Sequence, residues 1–268
     1  MTTREAPGKF IVANGIRQHY LEYGSGDRHL VVCHGITGGG ETWQQKAQIM
    51  ARKYHLIVPD LRGHGYSDKP EWGYSLVDYS RDLVALMAAL GLQRPTFMGH
   101  SMGARIALHL GVHHPESIGC AIAIDPPVSG PGRRRYPTTL EMFRARRKDL
   151  AARGAQAVLE GNPNYTQEEA AARARYGLMM TENAHLESWF GFHLEDIYPL
   201  VPQLKAPTLF LYADKGVILE EEAQELARLN PAMETVRIAN SSHAIPWDNW
   251  PAFYQAVEGF LERMAATS

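Results

Sequence analysis

Six short apolar runs alternate along this chain with longer stretches of helical periodicity. The runs are residues 30–33, 55–59, 95–100, 118–124, 208–213 and 234–239. Each has the length of a strand and an apolar interior, which is typical of strands covered on both faces. Residues 75–90 and 102–113 have helical periodicity, and Gly91 and Pro115 end them. This alternation predicts an α/β fold with a mainly parallel, doubly wound sheet.

The beginning of the chain carries a separate signal. Two alternating stretches flank Asn14-Gly15, and this dipeptide between alternating stretches predicts a β-hairpin. The first ten residues lack the apolar core of a secretory signal. Cys33 and Cys120 lie inside apolar runs, which predicts buried thiols and fits a cytoplasmic location.

Composition excludes several classes of protein. The chain has 268 residues, 45% of them hydrophobic and 21% charged, with a net charge of −2. This balance argues against disorder and against a surface that neutralises nucleic-acid phosphates. No apolar run approaches the roughly 20 residues that a membrane span needs. We therefore expect neither a nucleic acid nor a membrane as a partner, and the oligomeric state stays open.

One region interrupts the alternation. Residues 126–132 form a linker rich in proline and glycine, and polar helical patterns follow at 138–153 and 166–180. We predict an α/β core made of residues 1–127 and 202–268, with a helical cap at 128–201 inserted after the strand that ends at Asp125. The cap would cover the carboxyl edge of the sheet, where open α/β sheets bind ligands.

The sharpest motif is Gly-His-Ser-Met-Gly at 99–103, between an apolar strand and a helix. This is the Gly-x-Ser-x-Gly nucleophile elbow in the context it requires, which makes Ser101 the candidate nucleophile. A serine hydroxyl needs a base and a group that orients the base. Of the 12 histidines, His243 is the candidate base, because it follows the last strand and precedes the last helix.

These motifs together resemble the α/β-hydrolase family. His34-Gly35 after a strand, the stretch 60–67, the elbow and the late histidine carry the resemblance. It implies an oxyanion hole built from the backbone N–H groups of Met102 and Ile36. It also implies that Arg62, in the stretch 60–67, ties loops together.

The acid of the triad has two candidates. Most members of that family place it after the strand that corresponds to 208–213, but Gly216 occupies the expected position here and Asp214 comes two residues early. A minority place it one strand sooner, at the position of Asp125. Gly216 favours Asp125 over Asp214.

A narrower resemblance is to the N-formylmaleamate deformylases of bacterial nicotinate degradation. It rests on residues 14–21, 99–105, 125–134, 136–137, 216–218 and 245–248. It implies a serine amidohydrolase that releases formate from a small carboxylate substrate, with the acid on the earlier strand. We expect no metal or organic cofactor, since the chain has no His-Glu-x-x-His or Cys-x-x-Cys spacing.

Specificity should be set in the cap. Arg133 and Arg134 match the narrower group and could hold the substrate carboxylate as a fork, or could pin the loop as a solvated charge run. His193 and Trp247 are further candidates for the substrate pocket, Trp247 as part of its wall. Other functions stay open: a carboxylesterase, an enol-lactonase, an acylaminomethylene-succinate amidohydrolase, or a non-catalytic binder on the same fold.

Overall fold

A computed structural model describes residues 8–266 of the protein, which form an eight-stranded sheet in the order β1-β2-β4-β3-β5-β6-β7-β8. Residues 1–7 and 267–268 lie outside the described range. They include both ends of the predicted core and most of the segment in which a secretory signal was sought. The strands are β1 Lys9–Ala13, β2 Ile16–Tyr23, β3 His29–Cys33, β4 His55–Pro59, β5 Thr96–His100, β6 Cys120–Ile124, β7 Thr208–Lys215 and β8 Glu234–Ser242.

Helices cover both faces of the sheet and fill the long connection between β6 and β7. They are α1 Gln44–Met50, α2 Leu76–Ala89, α3 Met102–His113, α4 Leu140–Arg153, α5 Ala155–Gly161, α6 Gln167–Met179, α7 Glu182–Leu194, α8 Glu220–Leu229, α9 Ile245–Asp248 and α10 Trp250–Ala266. Two short 3₁₀ helices span Gly40–Trp43 and Tyr198–Gln203. Within residues 8–266, no helix is both long enough and apolar enough to cross a membrane.

The sheet is parallel except at one edge. β1 and β2 form the predicted hairpin, and β2 runs antiparallel to β4, whereas β3 to β8 pair in parallel. The hairpin turn has φ of 52° at Asn14 and 75° at Gly15, the positive values that a type I′ turn requires. The prediction of a mainly parallel α/β sheet is confirmed.

Successive strand residues alternate between two cores, one on each face of the sheet. Val31, Phe97 and Phe210 belong to one buried cluster, whereas Val32 and Met98 belong to the other. Both layers are apolar because helices cover both faces, so the strands appear as continuous apolar runs in the sequence. Cys33 and Cys120 are buried free thiols, as predicted.

The register of the parallel strands brings distant residues to one edge of the sheet. Cys33 pairs with Gly99, His100 with Ile124, and Ile124 with Leu211. The residues that follow β3, β5, β6 and β7 therefore emerge side by side at the carboxyl edge, where open α/β sheets carry their sites.

The helices between β6 and β7 contact the loops at this same edge. A Cβ atom at Gly39 would lie 1.8 Å from the ring of Tyr176 on α6, so the glycine permits this close approach. Farther along, Thr181 N–H donates to Gly63 O at 3.1 Å, and Tyr74 N–H donates to the Glu187 carboxylate at 3.0 Å. The division into a core and a cap at 128–201 stays a prediction.

Candidate active site

Ser101 lies at the junction of β5 and α3 in a strained backbone conformation, with φ 57° and ψ −115°. A Cβ atom at Gly99 would lie 2.0 Å from Gly103 O, and one at Gly103 would lie 2.6 Å from Cys33 O. Neither position can carry a side chain, since each would collide with backbone. The two glycines therefore permit the tight turn that presents the serine at the carboxyl edge, and strain of this kind is typical of functional sites.

The carboxylate of Asp125 binds His243. Oδ2 of Asp125 lies 2.6 Å from Nδ1 of His243 and also accepts a hydrogen bond from Val217 N–H at 2.9 Å. The Asp125 side chain is fully buried, whereas that of His243 is 29% exposed. An imidazole held in this way donates from Nδ1 and keeps Nε2 for a reacting group.

Asp214 is bound to other groups. Its Oδ1 accepts a hydrogen bond from Arg237 Nε at 2.7 Å, and its Oδ2 accepts one from Asn240 N–H at 2.6 Å. These bonds hold the pKa of Asp214 below its usual value, Asn240 first and Arg237 second. Asp214 thus ties β7 to β8, and its carboxylate makes no hydrogen bond to His243 within the described range.

Gly216 makes room for the carboxylate of Asp125. A Cβ atom there would lie 2.5 Å from Oδ1 and 2.5 Å from Oδ2 of Asp125. Real atoms do not approach so closely, so any other residue at 216 would displace the carboxylate. The N–H group of the next residue, Val217, donates a hydrogen bond to this carboxylate.

His100 was not among the candidate site residues, yet it positions His243. Its Nε2 donates to His243 O at 2.7 Å, and the two ring centroids lie 4.7 Å apart. Burial lowers the pKa of His100 well below its usual value, and the nearby His243 adds to this, so the ring is neutral. Its position between Gly99 and Ser101 was the available signal. Ser101 itself makes no hydrogen bond to His243 within residues 8–266; such contacts often tighten only when substrate binds.

The two residues predicted to form the oxyanion hole lie on segments next to Ser101. Met102 is the first residue of α3, where the N–H has no partner inside the helix. Ile36 lies on the loop after β3, and its carbonyl is bonded to Nε2 of His64 at 2.8 Å. A Cβ atom at Gly35 would lie 3.1 Å from Cβ of Ser101, so this loop passes directly beside the serine.

The predicted carboxylate fork has partners within the chain. Arg133 binds Glu225 at 3.0 Å, and Arg134 binds Glu222 at 2.8 Å and the Val217 carbonyl at 2.6 Å. The guanidinium groups thus join the linker after β6 to α8 and its preceding turn. Of the two interpretations given above, these contacts favour a loop anchor.

The other pocket candidates pack against aromatic rings. The ring of His193 on α7 lies 4.5 Å from that of Trp189. Trp247 is buried and contacts Trp43, His100 and Tyr165. Trp247 therefore packs against His100, and His193 packs against Trp189 of the same helix.

Two buried arginines hold the frame of the site. Arg62 forms a fork with Asp82, with distances of 2.5 and 2.6 Å, and donates to Gly73 O at 2.8 Å, which is the loop-tying role expected of it. Arg105 on α3 donates to Pro127 O at 2.8 Å and also bonds Glu195 O. Arg105 thus anchors the linker after Asp125, a role for which its helical position gave no signal. Within residues 8–266, no three His, Cys, Asp or Glu side chains are close enough to hold a metal ion.

A strained serine at an elbow, a buried aspartate bonded to a histidine, and amides beside the serine define a candidate hydrolase site. The chain belongs to the α/β-hydrolase family, whose α/β hydrolase fold model matches residues 28–249. This confirms the predicted family and fold.

Among individual proteins, the chain is 33% identical over 265 residues to an N-formylmaleamate deformylase of Pseudomonas putida, covering 98% of both chains. A crystal structure of an N-formylmaleamic acid deformylase from Pseudomonas putida superposes with a TM-score of 0.86 at 34% identity, covering 93% of this chain and 99% of the other. A 2-(acetamidomethylene)succinate hydrolase of Mesorhizobium japonicum is 24% identical over 90% of each chain. The predicted resemblance to the deformylases is confirmed.

Proposed function

We propose that this protein is a serine hydrolase that removes the formyl group of N-formylmaleamate, giving maleamate and formate. The hydrogen bond between buried Asp125 and His243, beside the elbow, is the observation that carries the proposal. The full-length similarity to deformylases supports the choice of substrate. Residues 128–201 would act as a cap over the bound substrate, and a cytoplasmic location stays a prediction.

The first half of the reaction forms a formyl-enzyme. Oγ of Ser101 attacks the formyl carbon while Nε2 of His243 takes the hydroxyl proton. Asp125 stabilises the imidazolium that forms, because its carboxylate accepts the Nδ1 proton. The N–H groups of Met102 and Ile36 would donate to the oxyanion, each such donor contributing roughly 3 kcal/mol to the transition state.

The tetrahedral intermediate then collapses. The C–N bond breaks, and His243 returns its proton from Nε2 to the departing nitrogen. This nitrogen leaves readily because the neighbouring carbonyl of maleamate stabilises it. In the second half, water attacks the formyl ester, His243 takes a proton from the water and then protonates Oγ of Ser101, and formate is released. His243 thus carries each catalytic proton transfer, and the released formic acid loses its own proton to solvent to give formate.

Formate release from synthetic N-formylmaleamate tests the proposal, with the Ser101→Ala variant as the control. We expect the wild-type protein to release formate and maleamate in equal amounts, and the variant to lose several orders of magnitude in kcat. Parallel assays test three alternative substrates. Release of acetate and ammonia is measured with 2-(acetamidomethylene)succinate, and release of acid is measured with an enol-lactone and with a simple ester. Preferred turnover of any of these would replace the proposed substrate. Failure of a fluorophosphonate to label Ser101 would identify a non-catalytic binder.

A further inference from the structure

On the helices between β6 and β7, two arginines have neither a counter-ion nor a hydrogen-bond partner within residues 8–266. Arg146 lies on α4 and Arg173 on α6. Within residues 8–266, neither guanidinium has a carboxylate oxygen within 4.0 Å or donates a hydrogen bond to another residue. Their neighbours on the same helices are occupied: Arg147 donates to Met180 O and Leu178 O, and Arg175 pairs with Glu41.

Helical spacing puts both arginines in register with buried residues of their helices. Phe143 and Leu150, three residues before and four after Arg146, are both buried, so Arg146 shares the inward face of α4. Tyr176, which packs on Gly39, lies three residues after Arg173 on α6. Both arginines therefore belong to faces that meet the carboxyl edge, although Arg146 stays exposed and Arg173 is half-buried.

Arg146 lines a recess next to the candidate oxyanion loop. Thr37, which follows Ile36, and Gly177 of α6 line the same recess. Burial lowers the pKa of Arg146, and the positive charge of Arg173 adds to this. Arg146 thus carries its charge beside the recess, within electrostatic reach of the Arg173 guanidinium on α6.

Electrostatic effects link this pair to the elbow and to the acid. The charge of Arg173 contributes to the lowered pKa values of His34 and His100, which flank the serine. Burial raises the pKa of Tyr136 to about 12, Asp125 adds to this rise, and Arg146 and Arg173 oppose it. The Tyr136 hydroxyl is thus within electrostatic reach of the acid and of both guanidinium groups.

We infer that Arg146 and Arg173 together bind the carboxylate of the substrate, so that the enzyme selects small anionic acyl amides. This inference rests on the proposed function of the same site. A carboxylate offers two oxygens to two donors, and charge-assisted bonds of this kind are short and strong. Arg133 and Arg134 are less suited, because a substrate would have to displace Glu225 and Glu222 from them.

Substitution of each arginine by methionine tests the inference, since methionine keeps the unbranched apolar stem and removes the charge. For Arg146→Met and Arg173→Met we expect kcat/KM for N-formylmaleamate to fall about 30-fold or more, mainly through KM. The uncharged methyl ester of the same compound should be hydrolysed at a nearly unchanged rate. The matched control is Arg144→Met, two residues away on α4, where the arginine pairs with exposed Glu182. Equal losses on the acid and the ester would overturn the inference.

A second measurement separates a binding role from a structural one. Each substitution removes one of two like charges that have no counter-ion in the described part of the chain, so we expect the melting temperature to stay constant or rise. A marked fall in melting temperature, together with an unchanged preference for the acid over its ester, would assign the arginines to the fold and overturn the inference.

A third assay keeps the inference testable if N-formylmaleamate is not the substrate. Hydrolysis of p-nitrophenyl acetate by the wild-type protein reports on Ser101 alone, and maleamate is added as a competitive inhibitor. We expect the inhibition constant to rise about 30-fold in the Arg146→Met and Arg173→Met variants and to be unchanged in Arg144→Met. Inhibition that is identical in all variants would overturn the arginine site, whereas lack of deformylation by itself would overturn only the proposed substrate.

Discussion

The ends of β6 and β7 carry the same residue type in neighbouring positions and use it differently. After β6, Asp125 has φ 47° and turns its carboxylate onto His243 and Val217 N–H. At the end of β7, Asp214 turns outward and binds Arg237 and Asn240. One carboxylate is fully buried against the histidine, and the other joins two strands at the surface.

The difference shows that space and backbone donors decide which carboxylate serves the base. Gly216 leaves the volume that the Asp125 carboxylate occupies, and the next residue provides an N–H for it. Asp214 lies two residues before Gly216, on β7. There it is beside β8, whose Arg237 and Asn240 donate hydrogen bonds to its carboxylate. Use of Asp125 as the acid thus requires an aspartate at the end of β6 and a residue without a side chain at position 216, after β7.

The largest expected effect is that of Asp125→Asn. The amide keeps the shape of the carboxylate but no longer fixes the Nδ1 proton of His243, so kcat should fall on the order of 10⁴, as in other hydrolytic triads. Steady-state formate release measures this loss, and Asp214→Asn is the matched control at the next strand. A larger loss for Asp214→Asn than for Asp125→Asn would reverse the assignment.

The Gly216→Ala variant tests whether the Asp125 carboxylate needs the space beside Gly216, and it leaves the charge of the carboxylate unchanged. The new Cβ would lie 2.5 Å from both oxygens of Asp125, and a displaced orienting group of this kind should cost about 10² in kcat. Gly161→Ala is the control, because nothing lies within 4 Å of a Cβ atom there and its φ is not positive. Wild-type activity in Gly216→Ala would show that Asp125 does not need this position.

Moving the acid from one strand end to the other sharpens the comparison. Asp125→Gly suits the positive φ and vacates the space, and Gly216→Asp then places a carboxylate beside the vacated volume. We expect the double variant to be about tenfold more active than Asp125→Gly alone, a gain of about 1.4 kcal/mol in transition-state stabilisation. No recovery, in a protein with an unchanged circular dichroism spectrum, would mean that the early strand end alone can orient His243.

Asp214→Asn should have the smallest effect, changing kcat by no more than about twofold because the site is not touched. It should lower the melting temperature at neutral pH. The folded-state pKa of Asp214 is lowered, so its stabilising contribution is present above the ordinary value of 3.8 and disappears as the pH falls through the lower folded value. Melting curves should therefore converge with those of the wild type only below about pH 4.

Most of the fold could be predicted because local patterns encode it. Apolar runs marked β3 to β8, and α3 begins and ends at the predicted residues 102 and 113. α4 begins two residues after the predicted start of 138–153 and ends with it, and α6 is one residue shorter at each end than the predicted 166–180. Thr139 and Thr166 form N-caps there, and capping threonines precede the helix proper.

In the candidate site too, local patterns predicted some of the residues, and the structure was needed for the others. Spacing alone pointed to Ser101 and His243, since a glycine-flanked serine after a strand and a histidine after the last strand are local features. The choice between Asp125 and Asp214 needed Gly216 in the sequence and the contacts with His243 in the structure. The roles of His100 and Arg105 could not be predicted, although His100 stands next to Ser101, because the groups they bond are 143 and 22 residues away in the chain.

By itself, the sequence determined the sheet, the elbow and the order of nucleophile and base, because each depends on residues close together in the chain. Only the tertiary structure decided which charged groups are neutralised. Arg133 and Arg134 meet glutamates 92 and 88 residues later, whereas Arg146 and Arg173 meet none within residues 8–266. A charge acts through its neighbours in space, and the packing of α4, α6 and α8 onto the sheet chooses those neighbours.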